Sequence, residues 1–189
     1  MQTEDIKPIV DCNYSLEESL SGIIFPDEIK TQLEIVDVEY YSFDNRLHKG
    51  QIVVHKKLVT DLKKIFELIK KEKFPVEKVI PIVKYNWSDN ESMMDNNTSA
   101  FNYRVVAGTT RMSNHSYGQA IDINPKQNPH IKNEIYSPKG SRYVPDEPGT
   151  IYKEHFIVTE FKKLGWDWGG DWTSLKDYQH FEKKLPASK

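Results

Sequence analysis

The sequence predicts a single domain of the α+β class, and three observations support that prediction. The chain has 189 residues, of which 38% are hydrophobic and 29% charged, as expected for one globular domain with its own core. Apolar and polar residues alternate over 36–40, which is typical of a half-buried strand. Over 58–69 the apolar residues recur with the helical period instead. We expect residues 1–20 to form a loosely ordered arm and residues 21–189 to form the domain.

Charge and composition exclude several classes of protein. Lys and Arg total 26 against 28 Asp and Glu, a net charge of −2, which argues against nucleic acid as a partner. The most apolar short stretch, 79–83, is far below the ~18 residues of a membrane span. Cys12 is the single cysteine, so any metal must be held mainly by His, Asp or Glu. Nothing in the sequence indicates an obligate protein partner.

The N-terminus leaves localisation open between two expectations. Residues 1–5 lack both the basic region and the apolar region of a signal peptide. The protein is cytoplasmic if Met1 is its native start, or it is exported and its signal peptide is missing from this sequence.

The first half of the chain predicts two strands and one long helix. Residues 25–28 indicate a short helix entry with Pro26 near its first turn, and Asp44 with Asn45 indicates a turn between strands at 36–40 and 52–54. The helix over 58–69 is followed by lysines, which suit the C-terminal end of its dipole, and Pro75 ends it.

The second half of the chain predicts shorter strands, long loops and a second helix. Strands are expected at 79–84, 103–107, 120–124 and 178–182, and a helix at 151–164 that ends at Gly165. A polar loop is expected at 87–98. Residues 125–149 contain five prolines and predict a long irregular connection, a kind of segment that often carries function.

Three side chains in the second half have the chemistry of a metal site. His115 and Asp122 lie seven residues apart, and His180 follows near the last predicted strand. A catalytic zinc ion takes three protein ligands and leaves one position for water. Asp122 sits between two isoleucines, where a carboxylate has to be paired or bound to a metal because isolated burial costs too much. Gly118 allows the intervening loop to turn tightly.

The two motifs around these residues resemble those of a known family. The run S-N-H-S-Y-G-Q-A-I-D at 113–122 is similar to the S-x-H-x-x-G-x-A-x-D pattern of the D-Ala-D-Ala carboxypeptidase and dipeptidase superfamily of zinc peptidases, and D-Y-Q-H-F at 177–181 resembles its second motif. That group includes VanX- and VanY-type enzymes, L-alanyl-D-glutamate endopeptidases and, as a fold relative, the hedgehog signalling domain. The resemblance covers residues 35–183 and implies a small, mainly antiparallel sheet flanked by helices.

The resemblance also implies roles for individual residues. His115, Asp122 and His180 match the zinc ligands, and Asp177 matches the general base, with Glu182 as the alternative base because it shares a strand face with His180. Arg104 matches the arginine that stabilises the developing oxyanion, although Arg111 competes for that role. Two serines, Ser113 and Ser116, match substrate-pocket positions.

The implied function is zinc-dependent hydrolysis of amide bonds in the stem peptides of bacterial peptidoglycan. Carboxypeptidase cleavage of a terminal D-Ala and endopeptidase cleavage between L-Ala and D-Glu both remain open. Asp rather than Glu at residue 177 weakly favours the endopeptidase. The alternative is a non-catalytic, zinc-containing module that binds cell-wall peptides, by analogy with the hedgehog domain.

Several other residues have competing interpretations. A Ser113–His115–Asp122 triad would leave Asp177 and His180 unexplained, so we disfavour it. The tryptophans at 166, 168 and 172 predict core packing rather than a stacking platform. His130 and His155 are expected on the surface or a helix face, and Cys12 receives no role.

Overall fold

The computed structural model describes residues 7–186. In this part of the chain, short strands outnumber helices, and the longest helix is the one expected from the helical apolar stripe. The strands are β1 (Ile9–Val10), β2 (Leu33–Tyr41), β3 (Leu47–His55), β4 (Lys78–Val79), β5 (Asn97–Thr98), β6 (Ala120–Asp122), β7 (His130–Lys132), β8 (Ile135–Ser137), β9 (Asp167–Trp168), β10 (Lys176–Asp177) and β11 (His180–Glu182). The helices are α1 (Leu16–Ser19), α2 (Asp27–Lys30), α3 (Val59–Lys71), α4 (Asp89–Met94) and α5 (Phe156–Lys163).

The strands form several small sheets rather than the one mainly antiparallel sheet that we expected. Among the described residues there are three three-stranded sheets, ordered β1-β3-β2, β10-β7-β8 and β6-β11-β9, and the pair β4-β5. Two pairings, β1 with β3 and β4 with β5, are parallel, whereas the others are antiparallel. The α+β mixture is therefore confirmed, while the single sheet was wrong because most strands are only two or three residues long.

The hairpin of β2 and β3 and helix α3 form the largest part of the core. The two strands pair in register from Leu33 with His55 to Tyr41 with Leu47, so both predicted strands are confirmed and extended. Helix α3 buries one apolar face against β2, including Leu62, Ile65 and Ile69. At roughly 25 cal/mol per Å² of buried apolar surface, such a stripe supplies most of a helix's stability.

Strands β6 and β11 carry two of the predicted metal ligands, Asp122 and His180, and form one sheet with β9. Strand β11 lies between the other two, and its central residue Phe181 points into the core, where it stacks on Phe161 of α5 with ring centroids 4.0 Å apart. Because side chains alternate along a strand, His180 and Glu182 face the opposite side. Packing of Phe181 in the core therefore fixes the position of His180 and Glu182 on the other face of β11.

Part of the N-terminal segment is held against the first sheet by hydrogen bonds. Residues 1–6 lie outside the described residues, but β1 pairs with β3, and the Tyr14 N–H donates to the Gln51 side chain at 2.6 Å. Asp11 also contacts Tyr40 and His48. These contacts hold residues 9–14 on the sheet. The sequence did not indicate them, because they are hydrogen bonds between polar groups and produce no apolar pattern. The division into an arm and a domain at residue 20 stays a prediction.

Five other expectations on local structure were wrong or incomplete. In place of the strand expected at 79–84 there is a two-residue strand at 78–79, since Pro81 caps the start of a 3-10 turn. The expected loop at 87–98 contains α4 and β5, and the expected strand at 103–107 is reduced to one bridge between Val105 and Met112. The irregular connection at 125–149 contains the hairpin of β7 and β8. The second helix starts at residue 156 rather than 151.

None of the helices within 7–186 has the length and apolar character needed to cross a bilayer.

Candidate metal centre and peptidase site

His115, Asp122 and His180 come together in one buried cluster. One ligand atom from each residue lies within 4.8 Å of the other two. The Nε2 atom of His115 is 3.2 Å from Oδ2 of Asp122, and Nδ1 of His180 is 2.9 Å from Oδ1 of the same carboxylate. The two ring nitrogens are 3.2 Å apart. All three predicted metal ligands therefore meet at one point.

Strand register and a tight turn bring these residues together. Strands β6 and β11 pair so that Asp122 lies directly opposite His180. His115 lies on the 3-10 turn Asn114–Tyr117, which ends at Gly118 in the left-handed conformation, with φ of 62°. A Cβ atom on Gly118 would lie 2.5 Å from the His55 backbone nitrogen, so only glycine fits between the turn and β3.

Each histidine uses its second ring nitrogen to contact a fixed partner outside the cluster. Nδ1 of His115 lies 2.5 Å from the Ala100 carbonyl oxygen, and Nε2 of His180 lies 3.1 Å from Oε2 of Glu182. The Asn114 side-chain amide donates to the same Glu182 oxygen at 2.6 Å. These contacts orient each ring so that its other nitrogen points into the cluster, as is usual around metal-binding histidines.

The donor set fits a divalent cation. Burial alone would raise the pKa of Asp122, but the imidazoles of His115 and His180 bring that pKa well below its usual range. Burial alone would lower the pKa of His180, whereas hydrogen bonds to Asp122 and Glu182 raise it to about 10. Three buried polar groups thus depend on mutual charge compensation, which a cation bound to one carboxylate and two imidazoles would also provide.

Asp177 lies in the wall of the same cavity and has an unusual protonation equilibrium. Burial raises the pKa of its carboxyl group to about 7, against the opposing effect of the nearby His180. Its Oδ1 atom is buried and has no hydrogen-bond partner among residues 7–186. Gly169 allows the chain to pass closely, because a Cβ atom there would lie 2.5 Å from the Asp177 carbonyl oxygen. A carboxyl group with a pKa near neutrality suits proton transfer.

Both arginine candidates line the cavity. Arg104 is half-buried, and its Nε lies 3.1 Å from Oδ1 of Asp89 at the start of α4. Arg111 is exposed at the turn between the bridged residues Val105 and Met112. The structure places the two guanidinium-bearing residues in one cavity wall, so the choice between them stays open.

The two serines have different environments. Ser113 lines the cavity and caps the 3-10 turn, since its Oγ accepts the His115 N–H at 3.3 Å. Ser116 is fully buried, and its hydroxyl instead bonds the backbone of Arg104, accepting the N–H at 2.9 Å and donating to the carbonyl at 2.7 Å. It does not line the cavity among the described residues, so a substrate contact by Ser116 is not supported. Its hydroxyl positions Arg104.

The Ser–His–Asp triad is not formed. Both ring nitrogens of His115 are engaged, one with Ala100 and the other with Asp122 and His180, so no nitrogen is left for the Ser113 hydroxyl. Ser113 Oγ contacts the backbone of His115 rather than its ring. The site therefore lacks an activated serine in this arrangement.

The cavity has a volume of about 250 Å³ and contains residues that the motifs did not identify. These include Asp89, Met93, Asn114, Trp172 and Gln179, which come from separate segments. The Trp172 ring centroid lies 5.3 Å from that of His180. Glu182 is the further residue of the site that the sequence did indicate, because it lies two residues after His180 on a strand and so shares its face.

The remaining assignments are partly confirmed. Trp166 and Trp168 are buried in the core as expected, whereas Trp172 lines the cavity. His130 is half-buried and faces the cavity rather than the surface, because β7 pairs with β10 and sets it opposite Asp177. The half-buried His155 accepts the Ile157 N–H at the start of α5.

Comparison with known proteins gave one family match, and no solved structure matched the chain. The matched segment includes Ser113, His115, Asp122, Asp177 and His180, and it begins after Arg104. Residues 107–183 match the model of the peptidase family described as D-alanyl-D-alanine carboxypeptidase, so the resemblance predicted from the two motifs is confirmed for the part of the chain that carries the site.

Proposed function

We propose that this protein is a zinc-dependent peptidase that hydrolyses amide bonds in peptidoglycan stem peptides. The observation that carries the proposal is the meeting of His115, Asp122 and His180 in one cavity with Asp177 in its wall. The match to a peptidase family supports the reaction class. A structural cluster alone would not require an unpaired carboxyl group of raised pKa beside it.

His115, Asp122 and His180 would hold the metal. When bound, zinc supplies Lewis acidity that polarises the substrate carbonyl group and lowers the pKa of water toward about 7. Because Ala100 and Glu182 fix the second nitrogens of the two rings, the cluster needs little rearrangement to bind an ion.

Asp177 moves the proton. Its unpaired Oδ1 accepts a proton from the attacking water and then delivers that proton to the leaving amide nitrogen, so the proton count balances over the cycle. A general base of this kind contributes roughly 10²–10⁴-fold to the rate. Glu182 is less suited to be the base, because its Oε2 is occupied by His180 and Asn114, and hydrogen bonds from both help to lower its pKa to about 2 against the effect of burial.

Arg104 stabilises the carbonyl oxygen as negative charge develops on it. Ser116 fixes its backbone and Asp89 contacts its guanidinium group, so this side chain is more constrained than that of Arg111. Loss of one such donor costs about 10²–10³-fold in rate. Arg111 takes this role if Arg104→Ala leaves the turnover number unchanged.

The proposal is tested with defined stem peptides from tri- to pentapeptide, with and without glycan. Each is incubated with the protein, with the protein plus chelator, and with the Asp177→Asn variant, and mass spectrometry identifies the fragments. We expect chelator-sensitive cleavage that the variant lacks, and the fragment masses name the carboxypeptidase or endopeptidase bond. Stoichiometric metal with no cleavage of any peptide would favour the peptide-binding module instead.

The substrate also determines where the protein would act. Peptidoglycan lies outside the cytoplasmic membrane, so we propose that the protein works in the periplasm or cell wall. Fractionation of cells with an antibody to this chain tests that location.

A further inference from the structure

Gln179 is a buried side chain in the cavity wall that the mechanism above does not use. The residue is 2% exposed and lines the cavity next to His180. Its Nε2 donates to the thioether sulfur of Met93 at 3.6 Å, and its Oε1 has no hydrogen-bond partner among residues 7–186. Because a thioether is a weak acceptor, the carboxamide leaves most of its hydrogen-bonding capacity unused.

Unpaired buried acceptors are rare, and this cavity contains two of them. Most buried polar atoms have a partner, so each exception asks for an explanation. Oδ1 of Asp177 and Oε1 of Gln179 are both unpaired and buried. The attacking water supplies a donor for Asp177, which leaves Gln179 without one. A backbone N–H of a bound peptide would supply a donor for Oε1 of Gln179.

The position of Gln179 suits contact with the peptide that is cleaved. Gln179 lies in the turn between β10 and β11, and its backbone carbonyl accepts the Ile123 N–H at 3.0 Å, so the side chain projects from a turn that is fixed to the neighbouring segment. A carboxamide has one acceptor and one donor site in the arrangement of a peptide group, and it can pair with both groups of a peptide backbone. Sugar hydroxyls have no such fixed pairing.

We propose that Gln179 binds the substrate: its Oε1 accepts a backbone N–H of the stem peptide, while its Nε2 exchanges the Met93 sulfur for a backbone carbonyl. This inference rests on the proposed peptidase function and adds a residue that determines specificity. It requires that the backbone amide that pairs with Oε1 of Gln179 has an N–H hydrogen to donate.

The test uses N-methylated stem peptides, in which each backbone amide is methylated in turn. Peptide affinities are measured by calorimetry with the zinc-loaded Asp177→Ala variant, so that nothing is cleaved. Alanine is used there because asparagine would place a new donor beside Gln179. The same peptides are then measured with Asp177→Ala combined with Gln179→Met, a change that keeps the side chain's length and removes both polar groups.

We expect one methylated position to weaken binding by roughly 5- to 150-fold when Gln179 is present. With Gln179→Met, the unmethylated peptide binds more weakly, and methylation of that position changes the affinity by no more than about twofold. Met93→Leu is the matched control, because it removes the sulfur partner and leaves Oε1 in place; the effect of methylation should persist in it. Gln179→Leu is the second variant if Gln179→Met does not fold.

Three results would overturn the inference in distinguishable ways. If wild type cleaves stem peptides but no methylated position depends on Gln179, the assignment of Gln179 is wrong and the peptidase function stands. If Gln179→Met instead lowers only the turnover number and shifts its pH profile, Gln179 positions Asp177 and does not bind substrate. If no stem peptide is bound or cleaved, the proposed function fails and this inference with it.

Discussion

At the scale of single residues, the site depends on atoms outside the metal cluster. Glu182 contacts the second nitrogen of His180, and Asn114 in turn contacts Glu182. Lys184 lies 3.6 Å from the other Glu182 oxygen and is too exposed to contribute much. The orientation of His180 is therefore fixed by a carboxylate that is not itself part of the cluster.

Removal of that carboxylate should weaken metal binding. We expect Glu182→Ala to raise the zinc dissociation constant about 10- to 100-fold, because His180 loses the partner that orients its ring. Competition with a chromophoric chelator measures this constant. Glu182→Gln is the matched control: it retains an oxygen acceptor and should lose less. An unchanged dissociation constant in Glu182→Ala would show that His180 is oriented by the strand alone.

The pH dependence of activity should follow Asp177. Burial raises its pKa to about 7, and only the deprotonated carboxylate accepts a proton, so activity is lost as the pH falls through that value. We expect kcat/KM to fall about tenfold per pH unit below it. A pH–rate profile on a stem peptide measures the acid limb. A rate that is flat from about pH 5 to 8 would contradict the role of Asp177 as the base.

At the scale of elements, the turn before β6 determines whether His115 reaches the cluster. Gly118 has a left-handed backbone and lies against His55 of β3. The turn is a local feature, whereas the strand register pairs residues 58 positions apart in the sequence, and together they bring residues 115, 122 and 180 to one point.

Gly118→Ala should destabilise the fold and weaken metal binding. The left-handed conformation costs about 1–2 kcal/mol for alanine, and the overlap with β3 costs about 1–3 kcal/mol more. Gly108→Ala is the matched control, because Gly108 also has a positive φ of 73° but has open space where its Cβ would lie. Urea denaturation measures both. Equal losses of unfolding free energy would show that the close approach to His55 does not matter.

The elements also show which features the sequence could predict. Helix α3 and the β2–β3 hairpin were predicted because each has several apolar residues at one period. Strands of two residues, such as β4 and β10, contain too few positions for a period to appear. The candidate metal ligands lie in motifs. Gln179 lies within the second motif, at a position to which the motif assigns no role, and Trp172 gains its place only from the way separate segments meet at the cavity.

At the scale of the whole molecule, the N-terminal segment is held against the central hairpin by charged groups. His48 of β3 contacts Asp11 at 2.8 Å and Asp44 at 3.2 Å, and Tyr40 also contacts Asp11. Burial alone would lower the pKa of His48, but the two carboxylates outweigh it, so the pKa is raised. The charged form of His48 is therefore favoured by folding.

This contact should make stability depend on pH. A raised histidine pKa stabilises the fold fully below the unfolded value of about 6.5, and the contribution disappears as the pH rises through the folded value. We expect the melting temperature of wild type to exceed that of His48→Gln by more at pH ~5.5 than at pH ~8.5. In a domain of this size, a change of ~1 kcal/mol in the free energy of unfolding shifts the melting temperature by about 2–4 °C. Thermal scans at both pH values measure it. An equal difference at both would mean that His48 acts through packing.

The proposed function requires that the cluster binds one zinc ion and that stem peptides are cleaved only when this ion is bound. Titration of zinc into chelator-treated protein, with the initial cleavage rate of a stem peptide as the readout, tests both requirements at once. We expect no cleavage without zinc and a rate that rises to a plateau at one equivalent, with His180→Ala inactive throughout. Cleavage that is independent of zinc, or one bound equivalent without cleavage, would contradict the proposed function.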